Sequence, residues 1–237
     1  MNIAVIFAGG SGKRMNTVSR PKQFLELRGK PIIIYTLEQF DTHPDIDGMV
    51  VVCIESWIPF LKKQLNKFEI TKVVEIVSGG ESGQDSIYNG LSAAKKHFPE
   101  ESCVLIHDGV RPLITQQTIT DNINKVHDCG NCITCIPATE TFVVKEGRDL
   151  VIPSRANSLI ARAPQSFILR DILAAHERAK VEGIHDFIDS CTMMSHYGYH
   201  MNTIIGPMEN IKITTPTDFF IFRAMVEVHE NQQIFGF

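Results

Sequence analysis

The chain has 237 residues, of which 43% are hydrophobic and 21% charged, and its formal net charge is −4 at pH 7. This balance is ordinary for a soluble globular protein. The interspersed charges offer no basic surface for nucleic acid, and no apolar run in the sequence is long enough to span a bilayer. We therefore expect a single cytoplasmic domain over residues 1–237, with neither nucleic acid nor a membrane as partner.

The first 137 residues alternate between predicted strands and helices. Apolar, β-branched runs predict strands at 3–7, 49–54, 73–77, 103–106 and 132–136. Amphipathic segments predict helices near 31–42, 57–68, 84–97 and 116–127. This order is typical of an α/β fold: a Rossmann-like, mostly parallel sheet with helices on both faces. Ligands bind at the carboxyl ends of strands in such sheets.

A glycine-rich loop follows the first predicted strand. Its sequence is Phe7-Ala8-Gly9-Gly10-Ser11-Gly12-Lys13-Arg14-Met15, and Arg20-Pro21-Lys22-Gln23-Phe24 comes soon after. Glycines allow backbone N–H groups to approach a phosphate chain, and the nearby cations suit a nucleoside triphosphate. The spacing excludes a P-loop, because Phe7 stands five residues before Gly12, and a dinucleotide fingerprint, because Met15 stands where a small residue is required.

A second glycine segment, Gly79-Gly80-Glu81-Ser82-Gly83-Gln84-Asp85-Ser86, lies between the third strand and its helix. Its backbone N–H groups, the Ser86 hydroxyl and the carboxylate of Glu81 or Asp85 could bind a base or a ribose. The segment could instead be a helix N-terminus in which Asp85 or Ser86 is the cap, and both roles can coexist.

Asp108 ends the fourth predicted strand, on the same edge as the glycine loop. A carboxylate there can hold magnesium against phosphate oxygens. Alternatively, Asp108 caps a turn or pairs with Arg111. We interpret His107 as a buried, hydrogen-bonded residue rather than a catalyst.

Six cysteines are expected to be reduced thiols in this compartment. The spacing Cys129-x-x-Cys132-x-x-Cys135 is similar to that of metal ligands. In a strand, however, Cys132 and Cys135 would point to opposite faces, which favours small buried hydrophobic residues over a metal site.

The pattern changes after Pro137. Residues 139–145 and 150–152 predict a hairpin with exposed apolar positions, which is typical of an interaction arm; an antiparallel edge of the main sheet is the alternative. Helices are then predicted at 169–180, 187–197 and 217–230, and a strand at 201–205.

Eight collinear strings resemble those of the cytidylyltransferases of sugar-alcohol phosphates. They are A-G-G-x-G-x-R-M, P-K-Q-F, G-G-x-x-x-x-D-S, H-D-G-V-R-P, E-T-F-V, A-P-Q-S-F, D-S-C and N-I-K-I-T. The family has a methylerythritol 4-phosphate branch, which serves isoprenoid synthesis, and a ribitol 5-phosphate branch, which serves teichoic-acid or capsule synthesis. The segments 107–111, 140–142, 162–167 and 189–191 look more like the ribitol branch.

The resemblance implies a role for each matching residue. Arg14 and Lys22 would stabilise the transition state, Asp108 would bind Mg²⁺, and Arg111 would help to position the substrate. The CTP site would consist of Phe7, Ala8, Gly9, Gly10, Gly80, Glu81, Ser82, Gly83, Gln84, Asp85 and Ser86. Arg155 and Lys212 would position the acceptor phosphate, while Thr141 and Asp189 would line the polyol.

The family also forms homodimers through the hairpin arm, here at about 139–155, so Thr141 and Arg155 would serve the neighbour's active site. Ile188 replaces a threonine that is common in both branches and offers no hydroxyl to the polyol.

The expected reaction converts CTP and D-ribitol 5-phosphate, or a close pentitol phosphate, to CDP-ribitol and pyrophosphate. Methylerythritol 4-phosphate is the alternative acceptor. A nucleotide-binding domain without turnover is a third hypothesis, but it predicts the loss of Arg14, Lys22 or Asp108, and all three are present.

Overall fold

A computed structural model describes residues 1–9 and 20–235 of the chain. Gly10 and Arg14, two of the predicted site residues, lie outside the described residues. The strands are β1 (Asn2–Ala8), β2 (Glu26–Leu27), β3 (Lys30–Pro31), β4 (Gly48–Cys53), β5 (Val73–Ser78), β6 (Cys103–Asp108), β7 (Asn131–Pro137), β8 (Val144–Glu146), β9 (Asp149–Val151), β10 (Leu159–Ile168) and β11 (Thr203–Ile205). The helices are α1 (Ile32–Asp41), α2 (Ile58–Lys67), α3 (Gly83–His97), α4 (Gln116–Cys129), α5 (Leu169–Glu182), α6 (Ser190–His196) and α7 (Pro216–Phe235).

Seven strands form the main sheet in the order β11-β7-β10-β6-β1-β4-β5. Every neighbouring pair is parallel except those made by β10, which runs antiparallel to β6 and β7. Side chains alternate along β1, so Ile3 and Val5 pack on the α3, α5 and α6 side while Ala4 and Ile6 pack on the α1, α2 and α4 side. The predicted mostly parallel sheet with helices on both faces is confirmed.

Strand β10 is absent from the prediction. Its sequence, LIARAPQSFI, contains an arginine, a proline and two further polar residues, so it lacks the apolar run of a buried strand. Yet Gln165 and Ser166 are buried, because their side chains find partners in Asp189 and Asn122. This strand inserts between β6 and β7 and borders the site described below.

The mid-chain hairpin is shorter than predicted. Strands β8 and β9 pair only with each other, in a two-stranded sheet separate from the main one. The alternative that this hairpin forms an edge of the main sheet is therefore wrong. Residues 139–152 are all exposed, and the arm carries a row of exposed apolar side chains.

The prediction that Cys132 and Cys135 point to opposite faces of their strand is confirmed. Cys132 packs on the side of α1, α2 and α4, and Cys135 packs on the opposite side. Cys129 is exposed at the end of α4. Over residues 1–9 and 20–235, no group of three His, Cys, Asp or Glu could hold a metal ion, and no helix has the length and hydropathy to cross a membrane.

Gly90 allows α3 to approach the sheet closely. A Cβ atom there would lie 2.5 Å from Val5 Cγ1 and 2.7 Å from Val52 Cγ2. We expect Gly90→Ala to lower the free energy of unfolding by about 1–3 kcal/mol through overpacking. Urea denaturation measures the change. Gly83→Ala is the matched control in the same helix, because no atom lies within 4 Å of its Cβ position; equal midpoints for the two variants would contradict this account.

Candidate active site

A cavity of about 310 Å³ opens where β1 and β6 end. Residues from six segments of the chain line it, among them Phe7, Asp108, Arg111, Arg162, Asp189 and Lys212. All the parallel strands of the sheet point their carboxyl ends to this edge, which is where α/β sheets bind ligands. The structure thus brings Phe7, Asp108, Arg111, Asp189 and Lys212 of the predicted site together.

Asp108 is the centre of a buried ion-pair cluster. Its Oδ1 lies 2.5 Å from Lys212 Nζ and its Oδ2 accepts from Arg111 Nε at 2.7 Å, while only 6% of its side chain is exposed. Burial opposes ionisation, but Lys212 and Arg111 outweigh it and lower the pKa of Asp108 to about 2. The carboxylate is therefore ionised at neutral pH, and the pairing with Arg111 considered from the sequence is present.

His107 does not belong to the Asp108 ion-pair cluster. It is completely buried, its Nε2 lies 3.3 Å from the Arg111 carbonyl oxygen, and burial lowers its pKa to about 4. The imidazole is neutral at physiological pH, and the interpretation of His107 as a buried, hydrogen-bonded residue is confirmed.

The segment Pro21–Phe24 is anchored beside the end of β1. Gln23 Nε2 donates to the Ala8 carbonyl oxygen at 2.5 Å, and the buried Phe24 ring stacks on Trp57 at 4.8 Å between centroids. Lys22 stands between Pro21 and Gln23 in this segment. Its Nζ donates to the carbonyl oxygen of Ile213 at 3.1 Å. Because Ile213 follows Lys212, the structure brings Lys22 next to the Asp108 cluster.

Lys212 also lies over the ring of Phe7, with Nζ 5.7 Å from the centroid. The face of an aromatic ring attracts a cation. Phe7 therefore contributes its side chain to the cavity wall.

The Gly80–Ser86 segment forms the N-terminus of α3. Ser82 is the N-cap and makes a capping box with Asp85, whose carboxylate accepts from the Ser82 N–H at 3.2 Å. Ser86 Oγ accepts from the Gly80 N–H at 3.0 Å. A Cβ at Gly80 would lie 2.3 Å from Asp85 Cβ, so this turn requires glycine. The side chains of Asp85 and Ser86 thus hold the loop shape, whereas Glu81 is exposed.

The buried Gln84 side chain bridges α3 to the segment before α6. Its Nε2 donates to the Ile184 carbonyl oxygen at 2.8 Å, and its Oε1 accepts from the Phe187 N–H at 3.0 Å. Both ends of the amide are engaged in this bridge. Gln84 therefore links the glycine segment to the segment that carries Asp189, which sequence reasoning did not anticipate.

Asp189 caps α6 at the cavity wall. Its carboxylate accepts from the Thr192 N–H at 2.9 Å and from Gln165 Nε2 at 3.1 Å. Burial opposes ionisation, but the hydrogen bonds from Thr192, Gln165 and Cys191 hold its pKa below the usual range. Neighbouring Ile188 is 92% exposed at the cavity rim and presents an apolar side chain there.

Thr141 and Arg155 lie in the arm and do not line the cavity. Both are exposed, and Arg155 Nη1 donates to the Thr139 carbonyl oxygen at 3.2 Å. The structure does not bring these two predicted residues to the Asp108 cluster of the same chain.

Sequence reasoning gave no role to Arg162 and Gln165, although both line the cavity. The available signal is the R-A-P-Q-S-F string, which supports the family resemblance and the comparison of its branches but assigns no role to either residue. A buried polar residue within a strand-length segment is the general sign of such a site.

The surroundings of the Asp108 carboxylate can be compared with what a magnesium ion requires of its ligands. Magnesium is commonly bound by one or two carboxylates together with substrate phosphates and waters. A single ionised carboxylate at this edge fits that donor set once a nucleotide supplies the remaining oxygens. Lys212 and Arg111 hold both Asp108 oxygens in the structure, so Asp108 would bind the ion by exchanging one of these ion pairs.

A family model described as "IspD: 2-C-methyl-D-erythritol 4-phosphate cytidylyltransferase" matches residues 2–228. The chain belongs to the IspD family. It is accordingly a nucleotidyltransferase, and the sequence resemblance to the sugar-alcohol phosphate cytidylyltransferases is confirmed.

IspD-family relatives carry two names. A ribitol-5-phosphate cytidylyltransferase of Vibrio parahaemolyticus is 52% identical over 238 residues and covers 100% of both chains. A 2-C-methyl-D-erythritol 4-phosphate cytidylyltransferase of Clostridium botulinum is 37% identical, over 95% of this chain and 97% of the relative. The solved 4-diphosphocytidyl-2C-methyl-D-erythritol synthase of Anaerococcus prevotii shares the fold, with a TM-score of 0.79, 24% identity and 95% of each chain covered.

Proposed function

We propose that the chain transfers the cytidylyl group of CTP to D-ribitol 5-phosphate, forming CDP-ribitol and pyrophosphate. The observation that carries this proposal is the cavity at the end of β6, whose charged lining residues are three cations and two carboxylates. Such a site suits a reaction that brings two polyanions together. The product would feed synthesis of a cell-surface polymer, a teichoic acid or a capsule, from the cytoplasm.

The chemistry needs no general base. The second pKa of a phosphate monoester is about 6, so the acceptor is largely dianionic at neutral pH. One of its oxygens attacks the α-phosphorus of CTP, the bond from that phosphorus to the bridging oxygen breaks, and pyrophosphate leaves with the electron pair. Lys22 and Arg14 would neutralise the charge that develops on the α-phosphate oxygens.

The remaining residues would orient the two substrates. The glycine segments would cradle the triphosphate, Lys212 and Arg111 would hold the acceptor phosphate, and Asp189 would accept from polyol hydroxyls. We propose Asp108 as the ligand of Mg²⁺, which when bound neutralises the β- and γ-phosphates of the nucleotide.

The choice of ribitol phosphate rests on the relatives. The full-length identity of 52% to a protein named for ribitol 5-phosphate exceeds the 37% to one named for methylerythritol 4-phosphate. Methylerythritol phosphate remains the second candidate acceptor, because the matching family model bears its name.

A matrix of four nucleoside triphosphates against several alditol phosphates, read by pyrophosphate release, tests the proposal. We expect the largest kcat/KM with CTP and D-ribitol 5-phosphate. Faster turnover with methylerythritol 4-phosphate would identify that compound, instead of D-ribitol 5-phosphate, as the acceptor. Binding of CTP without pyrophosphate release under any acceptor would instead support the non-catalytic hypothesis.

We also propose a homodimer formed through the arm. The exposed apolar side chains there are Phe142, Val143, Val144, Leu150, Val151 and Ile152, and Leu159 and Ile160 at the start of β10 are exposed as well. A concentration of exposed apolar side chains of this kind is typical of an interaction site. Thr141 and Arg155 lie on the same arm, outside the cavity of their own chain, and would complete the neighbour's site.

A further inference from the structure

Arg162 reaches the cavity because β10 bulges. Ala161 lies opposite Cys135 of β7 and Gln165 lies opposite Ile133, so residues 162–164 of β10 stand against the single residue 134. A bulge redirects side chains and is common beside active sites. Here the bulge takes Arg162 out of the regular β-ladder, and its side chain reaches the segment that carries Lys212.

Two carbonyl oxygens hold one end of the Arg162 guanidinium. Nη1 donates to the Met208 carbonyl oxygen at 2.8 Å and to that of Asn210 at 3.0 Å. Arg111 Nη1 donates to the same Asn210 oxygen at 3.0 Å. The two guanidinium groups therefore lie side by side, and Lys212 follows Asn210 by two residues.

Arg162 forms no ion pair in the part of the chain that the structure describes. Asp108 pairs with both Arg111 and Lys212, and no carboxylate lies within ion-pair distance of Arg162. Its Nε and Nη2 donate to no described group. Burial and the nearby Arg111 charge lower the pKa of Arg162, and the Glu209 carboxylate, beyond ion-pair distance, only partly opposes them. A half-buried cation without an anion in direct contact is costly, so this arrangement favours an anionic ligand.

We propose, given the function proposed above, that Arg162 binds the phosphate monoester of the acceptor and thereby selects phosphorylated acceptors. A guanidinium fork pairs with two phosphate oxygens at once, which an ammonium group cannot do. Arg162 lines the cavity wall with Asp189 and Ile188; of the glycine segment only Gly83 reaches this cavity, whereas Gly80, Glu81 and Ser82 line a separate one. That position assigns it to the acceptor rather than to the triphosphate.

The test compares Arg162→Gln, Arg162→Lys and a control, Arg170→Gln. Arg170 is exposed and lies two residues after Ile168, which pairs with the first residue of β6 at the opposite edge of the sheet. We expect Arg162→Gln to raise the KM for D-ribitol 5-phosphate by about tenfold or more and to leave the KM for CTP within about twofold. Arg162→Lys should recover part of the loss, and Arg170→Gln should resemble the wild type.

An unchanged acceptor KM in Arg162→Gln, or an equal rise in the KM for CTP, would overturn the proposal. Loss of kcat and of thermal stability with both KM values unchanged would also overturn it, because that pattern indicates a structural role. Calorimetric titration with inorganic phosphate decides independently of turnover: the wild type should bind it about tenfold more tightly than Arg162→Gln. If the wild type converts no alditol phosphate, the proposed function fails while this titration still decides the role of Arg162.

Discussion

Replacement of Lys22 by alanine is expected to reduce turnover by about a hundredfold or more, on the order of 3 kcal/mol of transition-state stabilisation. Negative charge grows on the α-phosphate oxygens as the acceptor attacks, and a fixed ammonium in a partly buried site stabilises that charge. Lys22 Nζ is held by the Ile213 carbonyl oxygen, beside the Asp108 cluster. Steady-state pyrophosphate release measures the loss.

The fold should survive this substitution, because Gln23 and Phe24 anchor the segment through their own contacts. The matched control is Arg20→Ala, which removes the same charge from the same segment. Arg20 pairs with Glu26 at 2.5 Å on the surface, with 39% of its side chain exposed, and exposed pairs of this kind contribute little. A folded Lys22→Ala protein with near-normal turnover would remove Lys22 from the mechanism. An equal loss in Arg20→Ala would assign the effect to the net charge of the segment.

The sequence predicts those parts of the fold whose residues carry a local signal. Strands β1, β4, β6 and β7 are mostly apolar and buried because helices cover both faces of the sheet, and the helices between them show one apolar face. The sheet edge at which the site residues meet also follows from the alternation of strands and helices. Strand β10 carries the opposite signal, since the polar residues Gln165 and Ser166 become acceptable only when Asp189 and Asn122 bind them.

The candidate site likewise has parts that the sequence predicts and parts that it does not. Asp108 and the glycine segments follow from strand ends, whereas the 2.5 Å pair of Asp108 with Lys212 joins residues far apart in the chain. No local pattern marks Lys212, and the resemblance alone assigned its role. The Gln84 bridge to Ile184 and Phe187 likewise depends on tertiary contacts. Sequence therefore predicted which edge carries the chemistry, while partners distant in sequence determine its geometry.

Mixing two impaired variants is expected to restore activity if the arm serves the neighbouring subunit. Lys22→Ala damages the site of its own chain, and Arg155→Ala damages the site of its partner by about tenfold or more through the lost phosphate contact. In a mixed dimer, one site then carries both defects and the other carries none. When only the mixed dimers are isolated, one of every two sites is intact, so about half of the wild-type activity should return.

The structure supplies the reason to expect this exchange between subunits. Arg155 is exposed on an arm whose apolar side chains are exposed too, and it does not line the cavity that holds Asp108. Arg148→Ala, which removes an exposed cation from the hairpin turn, is the control and should remain active alone. The variants are co-expressed with two different tags, purified through both, and assayed by pyrophosphate release. If Arg155 acted within its own chain, each site of the mixed dimer would carry one defect and no activity would return, so the measurement separates the two arrangements.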